Sequence, residues 1–142
     1  MATVTLNINV ERAKKDLSRS LGAGLRAGAI FLNNRIKEVL SIPAPRKRVT
    51  SRRGITYYRA TTPATPGAPP RKLSGRLRAS MTYEVETRGL FDVVARVGTN
   101  VIYSKRHEHG NHKFMMVTLN AVKGDLGKII GTSAVGGTLG GK

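Results

Sequence analysis

In the first ten residues, Val4, Leu6, Ile8 and Val10 alternate with Thr5, Asn7 and Asn9. That period of two predicts a strand over Thr3–Val10 with one buried face. From Glu11 the spacing lengthens: Leu17, Leu21, Leu25, Ala29, Leu32, Ile36 and Val39 recur every three or four positions, and Lys14, Lys15, Arg26 and Lys37 fall mostly off that stripe. The pattern predicts one long amphipathic helix. Gly22, Gly24 and Gly28 within it each cost about 1 kcal/mol relative to alanine, so they either kink the helix or admit a second backbone. Further on, Leu73–Ser80 predicts a short helix and Met81–Thr87 a strand, with Met81, Tyr83 and Val85 alternating against Thr82, Glu84 and Glu86. A turn at Arg88 and Gly89 leads to a second strand over Phe91–Val97, making a hairpin, and Gly98, Thr99 and Asn100 form a turn before a short strand over Val101–Ser104. Met115, Leu119, Val122, Leu126 and Ile129 predict a closing helix over Phe114–Ile130. The glycine-rich stretch 131–142 predicts a mobile tail.

Ser41–Lys72 differs in kind, because it holds all six prolines of the chain: Pro43, Pro45, Pro63, Pro66, Pro69 and Pro70. No continuous helix passes through it, and so long a segment inside a compact domain marks a functional loop or a part that orders on a partner. Gly54–Ala60 carries enough β-branched and aromatic character for a short hairpin strand. The expected architecture is α+β: a small antiparallel sheet packed against a long N-terminal helix and a C-terminal helix, with a long basic Pro-rich arm. Residues 1–142 form one domain, with the arm over 41–72 and the tail over 131–142. With few aromatics and no tryptophan, the core must come from Leu, Ile, Val and Met and be helped by oligomerisation.

Composition narrows the partners. The chain has 25 Lys and Arg against 8 Asp and Glu, a formal net charge of +17. Residues 43–78 contain ten of those cations and no acid, so more than half of the excess sits in a quarter of the chain. Such a field favours polyanions. No apolar run reaches the roughly 18–20 residues of a membrane span, and the first residues lack the order of a secretory signal, so the chain is expected in the cytosol when made, with no membrane partner. Without cysteine there is no disulfide framework or thiolate ligand.

Candidate chemistry is sparse. His107, Glu108, His109 and His112 do not match a zincin helix, because Asn111 occupies the place of the second histidine. The remaining readings are a three-nitrogen site or surface histidines beside a turn, and the second is preferred; no metal and no cofactor is expected. Glu84 and Glu86 read as solvated charges, and no Ser-His-Asp set can be nominated, so the chain is not expected to be an enzyme. The basic arm is the strongest signal: Arg46, Lys47, Arg48, Arg52, Arg53, Arg59, Arg71 and Lys72, with Arg76 and Arg78 following, are interleaved with Tyr57 and Tyr58. It is supplied for phosphate contact or for docking on an acidic protein, and the blander alternative is a solvated arm.

Three stretches resemble a known family. Pro66–Ser80 (PGAPPRKLSGRLRAS) resembles the proline-rich lead-in and T-G-x-L-R-x-S turn-helix of phage head-to-tail joining proteins. Val97–Gly110 (VGTNVIYSKRHEHG) resembles their V-G-[ST]-x-x-x-Y-[AS]-x-x-x-E-x-G segment, and His112–Val122 (HKFMMVTLNAV) their closing R-P-F-[LM]-x-x-A-L segment. The order matches the tail-completion or neck family of long-tailed bacteriophages, which includes the lambdoid minor tail protein Z and related tail-component proteins. Ser74 stands where threonine is usual, and His112 and Lys113 where Arg-Pro is common. Among the motif residues, Gly75 and Gly98 are expected to allow tight turns, Leu77 and Phe114 to anchor the core, and Tyr103 to bury its ring. Arg76 and Gly110 complete the motifs. Glu108 is a candidate either for an ion pair within or between subunits or for an exposed acid in a basic turn.

The resemblance implies a virion structural protein, assembled in the host cytoplasm as a homo-oligomeric ring such as a hexamer or dodecamer, at the neck between the DNA-filled head and the tail. Its partners would be connector, stopper, terminator or tail-tube proteins, with nonspecific contact to genomic DNA in the channel. The alternative from composition alone is a free-standing, sequence-nonspecific nucleic-acid-binding protein of histone-like or ribosomal type.

Overall fold

The computed structural model describes residues 10–60, 68–70 and 75–139. The strand predicted over Thr3–Val10 therefore lies outside it except for Val10, which opens helix α1 (Val10–Val39). Then follow β1 (Arg46–Thr50), β2 (Thr56–Ala60), α2 (Arg76–Ala79), β3 (Met81–Thr87), β4 (Val93–Thr99), α3 (Tyr103–His109) and α4 (Met115–Leu139). The fold is α+β, with the long N-terminal and C-terminal helices in place. Among the described residues no helix is long and apolar enough to cross a membrane.

Helix α1 is the spine against which α4, β3 and β4 pack. The positions that α1 buries are smaller in side chain than the leucine stripe suggests: Ser20, Gly24, Gly28, Ala29, Asn33 and Ile36 are buried, whereas Leu17 is exposed. Two of the three glycines explain themselves here. A Cβ on Gly24 would lie 2.6 Å from the carbonyl oxygen of Ile130, and one on Gly28 would lie 2.8 Å from the Ile130 side chain. Close backbone approach, the second of the two readings, accounts for them, while Gly22 faces open space. Because Gly28 meets Leu126 and Gly24 meets Ala134, and Ile36 shares a core with Phe114, the two helices run antiparallel.

That core gathers Ile36, Leu40, Leu77, Met81 and Phe114, with Leu32, Val97, Val101 and Met115 packed around it. Phe114 is fully enclosed. Each large apolar side chain buried there contributes about 1.5–3 kcal/mol, so this one cluster, at the C-terminal end of α1, ties α1, α2, β3 and α4 together.

Several expectations are corrected. The described strands form two separate two-stranded antiparallel sheets, β1–β2 in the arm and β3–β4 against α1, as the expected small sheet and arm hairpin require, but element bounds differ. Strand β4 starts at Val93 because a five-residue loop, closed by Arg88 N–H and Gly89 N–H donating to the Asp92 carbonyl, takes up Phe91. Full-length pairing with β3 then carries Gly98 and Thr99 into the strand, opposite Thr82 and Met81, so Gly98 is not a turn residue and its φ is not positive. Val101–Ser104 is no strand; Tyr103 and Ser104 begin α3. The glycine-rich stretch predicted to be a mobile tail is helical as far as Leu139, because α4 continues past Ile130 along α1. On the outer face of the β3–β4 sheet, Glu86 accepts from Arg96 at 2.8 Å and Arg88 at 3.1 Å, as its assignment to the solvated side requires.

Candidate functional site: a motif junction and a basic hairpin

The three stretches that carry the family resemblance meet in space. Gly75 adopts a left-handed conformation (φ 76°) that turns the chain into α2, and the next turn buries Leu77 beside Phe114. Ser80 closes α2 by donating to the Leu77 carbonyl and shares a 2.6 Å hydrogen bond with the hydroxyl of Thr99, which also accepts the backbone N–H of Val101. The first stretch is thereby fastened to the second. The second is fastened to the third by Glu108, whose carboxylate accepts the backbone N–H groups of Phe114 (3.1 Å), Met115 (3.1 Å) and Met116 (2.8 Å). His112 Nδ1 lies 3.0 Å from the carbonyl of Ala68, which brings in the proline-rich lead-in.

Glu108 thus has a role that neither reading anticipated. It makes no ion pair with a described residue; it caps the first turn of α4 from outside the helix. Partial burial works against its charge, but the N–H donations from Met116, Phe114 and Met115, helped by Lys113, outweigh that and hold its carboxyl below the usual carboxylate range. The reach is made possible by Gly110, which ends α3: a Cβ there would sit 2.7 Å from the Arg106 carbonyl oxygen. Tyr103 is a further correction, since the residue is 40% exposed and its ring meets His107 edge-on instead of being enclosed. Burial first, then the neighbouring His112 ring and the Arg106 guanidinium, pushes His107 below the ordinary histidine value. Among the described residues no group of three or more His, Asp or Glu side chains is arranged to hold a metal ion. Arg76 is exposed at the start of α2.

The second feature is the arm. Residues 46–60 fold into a hairpin whose first strand the sequence does not advertise. Gly54 N–H donates to the Ser51 carbonyl, Ser51 N–H donates to the Ile55 carbonyl, and Gly54 takes a left-handed φ of 75°, the arrangement of a three-residue hairpin loop over Arg52, Arg53 and Gly54. The register pairs Lys47 with Arg59, Arg48 with Tyr58 and Val49 with Tyr57. Since directly opposed residues share a face, Arg46, Arg48 and Tyr58 lie on one side, and Lys47, Arg59 and Tyr57 on the other. Arg46, Lys47, Arg48, Arg52, Arg53 and Arg59 are all exposed. Arg71 and Lys72 lie outside the described residues. A cleft of about 670 Å³ between α1, α4 and β4 is lined chiefly by Leu, Ile, Ala and Met side chains; among the described residues its ionisable groups are Arg96 and Glu108, which are committed to Glu86 and to the start of α4. Comparison of the chain with family models, curated proteins and solved structures returns no match.

Proposed function

We propose that the chain is a structural protein of the phage neck, a tail-completion component that assembles as a ring between the DNA-filled head and the tail. What supports the reading is the convergence of three separated sequence stretches on one junction around Phe114, where the residues that carry the resemblance, Gly75, Leu77, Glu108, Gly110 and Phe114, each do identifiable structural work. The mechanism is association, not catalysis. Subunit contacts have apolar surface to draw on, since Ile102, Leu90, Phe91, Met116 and Val117 are exposed. Gold-antibody electron microscopy of particles from a lysate containing the protein tests this. Label at the head-to-tail junction is the expected result, and label absent from particles overturns it. The hairpin favours a second reading, a free-standing nucleic-acid binder; that reading predicts label on released DNA only.

A further inference from the structure

We propose that the β1–β2 hairpin is a duplex-DNA probe that enters the major groove tip first, with its two cationic faces turned to the two phosphate walls. The inference rests on the hairpin alone and stands whether or not the chain belongs to a neck.

The hairpin carries six cations and no acid. Those cations are exposed, and the hairpin makes no extensive contact with another described element, so the described fold does not consume them. Their distribution selects the partner. An acidic protein surface would meet one face and leave the cations of the other solvated, whereas a B-form major groove, about 12 Å wide and 8.5 Å deep, admits a two-stranded ribbon and presents phosphates on both sides. The register puts Arg46 and Arg48 on one face, Lys47 and Arg59 on the other, and Arg52 and Arg53 at the tip. At about 3.4 Å per residue, the four face cations lie roughly 14–20 Å behind the tip, outside a groove about 8.5 Å deep, so their long side chains reach back toward the phosphate rims. Between tip and faces, Val49–Thr50 and Thr56–Tyr57 are uncharged, so Arg52 and Arg53 are the cations of the hairpin that enter the groove itself. Tyr57 and Tyr58 are exposed on opposite faces and add one hydroxyl toward each wall. Contacts from the two faces go to phosphates and carry no sequence information, which leaves Arg52 and Arg53 at the tip as the groups placed to reach base edges.

The test is fluorescence anisotropy of the full chain with a mixed-sequence 20-base-pair DNA duplex, from about 50 to 200 mM salt. Two paired variants, R46A/R48A and K47A/R59A, are compared with the parent, their folding checked by thermal melting. Each pair is expected to flatten the log–log salt dependence by about 1.8, two phosphate contacts at roughly 0.9 each. The corresponding RNA duplex is expected to bind more weakly, because the A-form major groove is too narrow for a ribbon. A slope that changes for one pair only, equal affinity for the RNA duplex, or retention of an acidic polypeptide with no duplex affinity each overturns the proposal. These outcomes are read on isolated protein, so they are independent of where antibody label falls on particles.

Discussion

Glu108 shows how one side chain can fasten two segments. The first turn of α4 presents N–H groups with no intrahelical acceptor, and an acid six to eight residues upstream takes three of them. Glu108→Ala is expected to cost about 1–2 kcal/mol, because those donors lose a charged acceptor in a partly buried place. Glu108→Gln should cost less. The pH dependence follows from the lowered carboxyl. The stabilisation is fully present above the unfolded glutamate value and is lost as pH falls through the lower, folded value. Thermal melts of the parent should therefore drop more steeply than those of Glu108→Gln across the acid range below the usual glutamate value, and the two curves should draw together at the acid end. A parent and variant that differ by a constant amount at every pH would dismiss the charged cap. Spacing rules give no warning of this role, since the familiar capping acid lies three residues from the cap. From the sequence alone Glu108 is therefore either an ion-pair partner or an exposed acid.

At the scale of elements, glycine separates two kinds of helix position. Gly24 and Gly28 sit where α4 passes within van der Waals distance of α1, so Gly24→Ala and Gly28→Ala should each destabilise by about 1–3 kcal/mol, overpacking outweighing the gain in helix propensity. Gly22, Gly124, Gly127 and Gly131 face open space, and alanine at each should instead stabilise by roughly 0.5–1 kcal/mol. Denaturant melts of the six variants should fall into two groups of opposite sign. Here too lies what was legible in the sequence. The three-to-four spacing of α1 and α4 and the alternation of β3 are local signals; α1 and that strand stand where those signals put them, and α4 starts there but runs on to Leu139. The small-residue face of α1 was masked by a leucine stripe that only in part reaches the core. Arg46–Thr50 carries one aliphatic side chain in five residues, too little for a strand signal, and pairs because Gly54 turns the chain back onto Thr56–Ala60. Gly98 read as a turn, but pairing with all seven residues of β3 holds it extended. Tertiary partners decided each of these cases, and they leave no local trace.

At the scale of the whole molecule, packing and charge are kept apart. The apolar core lies where α1, α2, β3 and α4 converge, and the densest charge lies in a hairpin that packs on itself. Arg46 and Ala60 are opposite partners, so their Cα atoms lie about 5 Å apart and a two-residue Gly-Ser bridge can replace everything from one to the other. Excision removes six cations and lowers the net charge from +17 to +11. Two effects then act on the remaining fold in the same direction. The shorter connection costs less closure entropy, and the compact state repels itself less. The melting temperature of the excised chain should accordingly stay the same or rise by a few degrees at low salt, and the difference should shrink as salt screens the repulsion. Duplex affinity should fall over the same salt range while the core is unaffected. A melting temperature lowered by ten degrees or more would mean that the hairpin belongs to the cooperative fold, and the division between a packed body and a charged arm would have to be abandoned.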